Sequence, residues 1–446
     1  MNKTFLAFGC CALAMFSALA SDLGWKVGVA KVKITPEKPI WIMGYGSRDH
    51  VMEGVRQDVW AKALALEDKD GRVGVIVTMD LCSIPRLLSD MMRDTMKEKY
   101  GLGREQIILN VSHTHSGPMV GFEPRIVMPL ADTQWEDVYT YSRWLSCKVV
   151  GLAGEALASR RPASISTGNG ICRFAVNRRK NKEGKLTATT ILEGSRDYSV
   201  PVMKVEDESG RELAILFGYA CHGTVLCDYL INGDWPGYAQ QEVEKAHPGA
   251  IAMFAQGAAG DQNPLPRRKV SLAVQYGREL AAAVEQTLTD GLSRREPVLS
   301  MKYVETPLER GEPMSVERLE KIVKSGKNPD DWPVRCAKDL LSRIARGEKF
   351  VTKEEYPISY WKIGDQKLFA LAGEIMSGYS VAIKEKFGAD TFVWGYSNDQ
   401  PGYLPMQDSW DEGGYEVDSS FLSYGRPAWK RDVTQRILDA VEKIAQ

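Results

Sequence analysis

The sequence predicts an α/β protein with a mixed central sheet flanked by helices. Short apolar runs rich in β-branched residues, at 73–79 and 106–111, have the make-up of buried strands. Between them, residues 85–100 show helical spacing, with Leu87, Leu88, Met91, Met92 and Met96 on one side. Pro85 suits the first turn of that helix, and Gly101 closes it. The alternation then recurs. Residues 213–219 and 250–255 read as strands separated by a helix over 238–246, and 273–288 and 429–444 read as helices. Strands joined through helices need crossover connections, so the sheet is expected to be at least partly parallel. The charge-rich segment 305–353 breaks the pattern. Its helical spacing, near 316–323 and 337–344, predicts a helical insertion.

Composition narrows the functional classes. The chain has 446 residues, 44% hydrophobic and 26% charged, enough for a large core. Its 57 basic and 58 acidic residues leave a net charge of −1, which gives no electrostatic footprint for nucleic acid. The first twenty residues read as an export signal: Lys3, an apolar run from Phe5 to Phe16, and Ala18-Leu19-Ala20 as a cleavage site. The expected mature protein starts at Ser21, is secreted or periplasmic, and forms one domain over 21–446. No later stretch approaches the length of apolar residues that spans a bilayer, so no transmembrane segment is expected. Beyond the signal lie Cys82, Cys147, Cys172, Cys221, Cys227 and Cys336, too widely spaced for a disulfide scaffold or a C-x-x-C metal site. Their pairing is left open.

There are five histidines: His50, His113, His115, His222 and His247. His113 and His115 lie in Ser112-His-Thr-His-Ser-Gly-Pro118, where a strand runs into a loop. On extended backbone, residues two apart share a face, so both imidazoles should look into one space. Such a pair suits zinc, or one ligand beside a general acid or base, though H-x-H also occurs among structural histidines. His222-Gly-Thr, Gly260-Asp261-Gln-Asn263-Pro264, Gly373-Glu374 and the stretch from Gly402-Tyr-Leu-Pro405 to Gly413-Gly-Tyr415-Glu416 each follow another strand candidate. Singly, each has a bland explanation. A lone histidine is more often core than ligand, and a glutamate after a strand often serves a helix N-terminus. Their recurrence at strand ends points to a shared site.

Taken in order, these blocks resemble the catalytic domain of the neutral/alkaline non-lysosomal ceramidases. The resemblance starts at Val27-Gly-Val-Ala-Lys-Val-Lys-Ile-Thr-Pro36 and Met43-Gly-Tyr45. It continues through the H-T-H block, Asn177-Arg178, His222-Gly-Thr224, Gly233-Asp234, Gly260-Asp261, Gly373-Glu374 and Tyr415-Glu416. It implies one zinc ion held by His113, His222, Glu374 and Tyr415, with His115 beside the metal and Arg178 facing substrate or developing negative charge. The implied reaction is hydrolysis of an N-acyl bond, as in N-acylsphingosine, by zinc-activated water. Two departures bear on it. Family members usually carry Gly-Asp-x-Ser-Pro, and Asn263 stands at the serine's place. Asn263 can hydrogen-bond in the site but cannot be acylated as serine is. The family's C-terminal immunoglobulin-like domain is also expected to be missing. These departures, and the basic stretch Asn177-Arg-Arg-Lys-Asn181, keep a second expectation open: an exported zinc hydrolase or lyase acting on a sugar derivative, glycan or other polar substrate. A third is a binding protein that keeps the fold without catalysis. Peripheral membrane contact accompanies the lipid reading.

Overall fold

The computed structural model describes residues 24–123 and 127–446, and the expected signal, with Cys10 and Cys11, lies outside them. The larger sheet runs in the order Ile251–Gln256, Glu212–Tyr219, Ser199–Asp207, Arg161–Ile171, Trp25–Lys33, Trp60–Glu67, Val73–Met79, Ile107–Val111. Its interior pairings are antiparallel. The pairing at each edge is parallel. Both parallel pairs are built as the sequence predicts: Arg86–Tyr100 crosses between Val73–Met79 and Ile107–Val111, and Asp234–Ala246 between Glu212–Tyr219 and Ile251–Gln256.

Period-two alternation divides the strand residues between two cores. Ala63, Ala65, Val75 and Val77 pack with Leu88, Met92, Leu145 and Val149 of the helices Arg86–Tyr100 and Asp132–Ala158. Leu64, Leu66 and Ile76 face a second sheet and meet Trp361, Ile363, Leu368 and Trp394. That sheet pairs Leu299–Glu309, Lys353–Ile363 and Gln366–Leu371 antiparallel and adds Phe392–Trp394 in parallel. On the other half of the larger sheet, Phe217 and Phe254 pack against Val243 and Leu280 of Asp234–Ala246 and Val270–Thr289. With both faces covered, these strands are apolar throughout, which made them legible.

The helical insertion is a helix pair, Val316–Ser325 and Trp332–Ala345, shorter than expected. Residues 305–309 belong to a strand paired along its whole length with Lys353–Ile363. Its outer face is solvated, so Glu305 and Glu309 alternate with better-covered positions and obscure the strand. The six cysteines from Cys82 onward all carry free thiols.

The two edges of the larger sheet come together. Asn110 Oδ1 accepts from the Gln256 backbone at 2.8 Å, and its Nδ2 donates to Gly395 O at 2.8 Å. The chain beyond Phe392–Trp394 threads the same seam, with Gly395 N donating to Gln256 O at 3.1 Å and Asn398 N to Leu109 O at 2.8 Å. Three strand ends therefore open onto one spot.

Candidate metal centre

Each edge strand delivers one histidine to that spot. His113 follows Ile107–Val111 with a φ of 55°, a left-handed conformation that a non-glycine residue holds only under constraint. Its Nδ1 lies 2.6 Å from Cys82 O. His222 follows Glu212–Tyr219, with Nδ1 2.7 Å from Ala259 O and 3.1 Å from Gln262 O. A carbonyl only accepts, so both Nδ1 atoms donate and both Nε2 atoms are left as the free ring nitrogens. The Nε2 atoms converge on one carboxylate oxygen. Glu374 Oε2 is 3.3 Å from that of His113 and 3.2 Å from that of His222. All three side chains are buried.

Three electron-rich atoms meeting in a buried space repel unless a cation or proton sits among them. Within the protein alone a proton serves. Burial opposes charge on His113, but Glu374 outweighs it and raises the imidazole to about 10. Burial and Arg178 lower His222 to about 4. Burial would raise Glu374, yet the two imidazoles hold its carboxyl well below the usual range. The donor set also fits zinc: imidazole nitrogens and a carboxylate with mutually reachable ligand atoms, and ring orientations fixed by carbonyls behind them. Glu374 Oε1 is anchored in turn by Gln400 Nε2 at 3.0 Å and the Tyr424 hydroxyl at 3.1 Å.

The other expected residues gather around this trio. His115 Nε2 is 3.1 Å from His113 Nε2, while its buried Nδ1 has no partner among the described residues. Burial and the neighbouring imidazoles push its pKa well down, so the ring is neutral. Arg178 reaches in from the far side, with Nη1 3.4 Å from both His222 Nε2 and Asn263 Oδ1. Glu416 holds the guanidinium through Arg178 Nε at 2.9 Å, and Arg179 braces the same carboxylate at 2.8 Å. Asn263 lies on Gln262–Pro264, which pairs with the strand carrying Asn177. Tyr415 lines the same cavity as His113, His115 and Glu374, but it is 43% exposed. Its ring stands edge-on to Tyr403 at 5.4 Å. Tyr403, which the sequence reading passed over, is buried, with its hydroxyl 3.3 Å from His222 Nε2 and 3.1 Å from Arg178 Nη2. It belongs to the Gly402-Tyr-Leu-Pro segment already marked as a strand end, so position in the motif was the available signal. Gln400 and Tyr424 carried none. His50 and His247 lie apart, in ion pairs with Asp49 and Glu53, and with Glu212 and Glu285.

A buried two-histidine, one-carboxylate centre at the ends of sheet strands, beside a neutral histidine and a braced arginine, is the layout of a metallohydrolase site. The family "Neutral/alkaline non-lysosomal ceramidase, N-terminal" matches residues 25–269, and the chain belongs to it. Among its relatives, the neutral ceramidase of Pseudomonas aeruginosa is 29% identical over 273 residues, 58% of this chain and 40% of that protein. Neutral ceramidase 2 of Arabidopsis thaliana is 22% identical over 64% of this chain and 38% of its own length. The match thus spans about two fifths of these relatives. A crystal structure of the Pseudomonas aeruginosa neutral ceramidase shares the fold, with a TM-score of 0.74 and 21% identity, over 95% of this chain and 74% of that one.

Proposed function

We propose that this chain is an exported zinc-dependent amide hydrolase that cleaves an N-acyl bond. The observation that carries the reading is the convergence of His113 Nε2, His222 Nε2 and Glu374 Oε2 with their outer atoms already committed to the protein. These three are the proposed zinc ligands. A tyrosine completes the set: the Tyr403 hydroxyl is 3.3 Å from His222 Nε2, and the expected Tyr415 stands edge-on to Tyr403 within the field of Glu374 and Arg178. When bound, zinc supplies a Lewis acid and acidifies water at neutral pH.

The chain's own residues do the rest. Neutral His115 holds a ring nitrogen against the cluster, placed to hydrogen-bond the developing oxyanion and to pass a proton to the departing amine. Arg178, held by Glu416, presents fixed positive charge beside His222 and Tyr403 and stabilises negative charge on oxygen there. Asn263 orients Arg178 and does not act as a nucleophile. Export rests on the pattern at residues 1–20. No helix among the described residues is long and apolar enough to cross a membrane.

The relatives named as ceramidases make an N-acylsphingosine the first substrate to test. The experiment is acyl release by the purified chain before and after chelation, with zinc restored afterwards. Loss and recovery of amide cleavage are expected. Cleavage indifferent to chelation overturns the zinc mechanism.

A further inference from the structure

Two cavities meet beside the cluster. The smaller, of about 320 Å³, has His113, His115 and Glu374 in its wall. The larger, of about 950 Å³, shares Met128, Gln400, Ser423 and Tyr424 with it, so they form a continuous cleft. The helix Trp332–Ala345 of the insertion walls both, with Trp332 in the small chamber and Arg335, Asp339 and Arg343 in the large one.

The large chamber offers an alkyl chain a mixed wall rather than an apolar one. Close to half of its lining among the described residues is charged, and most of those charges are paired. Arg86 pairs with Asp399 at 2.9 Å and Glu305 at 2.7 Å, Arg104 with Asp90 at 3.0 Å, and Arg426 with Glu354 at 2.8 Å. A buried methylene is worth about 0.8 kcal/mol only among apolar atoms. Against ion pairs it strips their water and offers no hydrogen bond in return. A wall of largely paired charges suits neutral hydroxyls instead, and Phe122, Trp135 and Tyr303 stand among them in the lining.

Gln400 points the same way. It is only 5% exposed and lines both chambers. Its Nε2 donates to Glu374 Oε1 at 3.0 Å, which fixes the amide and leaves Oε1 buried without a partner among the described residues. An orphaned acceptor at the junction of the two chambers needs an O–H or N–H donor.

We propose, building on the amide-hydrolase reading above, that the cleft takes an N-acylated amino sugar. The acyl group enters the small chamber, the sugar fills the large one, and Gln400 Oε1 accepts from a hydroxyl or the amide N–H beside the scissile bond. Water oxygen bonds to the acyl carbon and the C–N bond breaks. The carboxylate is released, and the nitrogen leaves as the amine with the protons supplied by water.

The test uses the full chain with its zinc content measured. It is offered N,N′-diacetylchitobiose and, separately, N-hexanoylsphingosine in micelles, with acyl release followed and sugar binding measured by calorimetry. The sugar amide is expected to win in kcat/KM by about a hundredfold or more, since a site built for hydroxyls rejects ligands lacking them. Gln400→Met, compared with wild type at equal zinc loading, should raise KM for the sugar about tenfold, the worth of roughly one hydrogen bond. Preference for the lipid overturns the proposal, and so does absence of sugar binding at millimolar concentration. Sugar bound without acyl release supports the sugar cleft and overturns the amide-hydrolase reading. Should Gln400→Met lose zinc, the wild-type comparison still decides.

Discussion

Replacing Gly44 by alanine moves the histidine beside the metal without touching a proposed ligand. Gly44 has a φ of 115°, and a Cβ there would stand 2.5 Å from His115 Cγ and 2.6 Å from Nδ1. Ordinary carbon contacts lie near 3.5–4.0 Å, so the ring or the loop must give by about 1 Å. Backbone strain at that φ adds on the order of 1–3 kcal/mol. A displacement of about 1 Å in a positioned catalytic group costs about a hundredfold in rate. His115 Nε2 sits 3.1 Å from His113 Nε2, so such a shift also breaks its link to the cluster. Gly44→Ala should therefore lose about a hundredfold in kcat, keep its zinc, and melt somewhat lower. Gly71→Ala is the control: its φ is 80°, but nothing lies within 4 Å of the added carbon, so it should lower Tm and leave kcat alone. The assay is steady-state cleavage of an N-acyl amide, paired with elemental analysis and thermal melts. A folded, zinc-loaded Gly44→Ala with kcat within about twofold of wild type would refute the placement of His115 in the chemistry.

Three further expectations follow from the same geometry. Tyr403→Phe should weaken zinc binding, measured by competition with a chelator, whereas Tyr415→Phe should keep zinc and change KM; the reverse result would restore Tyr415 as the fourth ligand. Zinc loading of the metal-free protein at pH 6 should release about one proton, because His113 is raised to about 10 and holds a proton there, while His222, lowered to about 4, does not. The apparent zinc affinity should accordingly rise about tenfold per pH unit between about 4 and about 10, and a flat titration would contradict a protonated His113 in the metal-free protein. Asn263→Ala should cost about tenfold or less in kcat/KM, since its side chain touches the site through a long contact of 3.4 Å to Arg178; abolition of activity would reinstate a direct role.

The parts of the fold that were legible in the sequence are those buried on both faces. Val73–Met79, Ile107–Val111 and Glu212–Tyr219 are continuous apolar runs, and the histidines after the last two stand where crossover topology puts sites. What stayed hidden had one solvated face or a long-range partner. Leu299–Glu309 alternates covered and exposed residues and reads as charged. Arg161–Ile171, rich in serine and glycine, owes its strand form to Ser199–Asp207 and Trp25–Lys33 beside it. In the site, the H-T-H block announced itself by spacing. Tyr403 became distinguishable from Tyr415 only through the contacts its hydroxyl makes with His222 and Arg178. Gln400 had no signal, because its role comes from Glu374 fixing one end of its amide.

The central claim is a zinc site made by His113, His222 and Glu374 with His115 outside it. Elemental analysis of the purified protein and four alanine variants tests it most directly. About one zinc per chain is expected in wild type and His115→Ala, with turnover lost in the latter, and little or none in His113→Ala, His222→Ala and Glu374→Ala. A wild-type protein that neither carries zinc nor acquires it, or a His115→Ala that empties while His113→Ala stays loaded, would contradict the account.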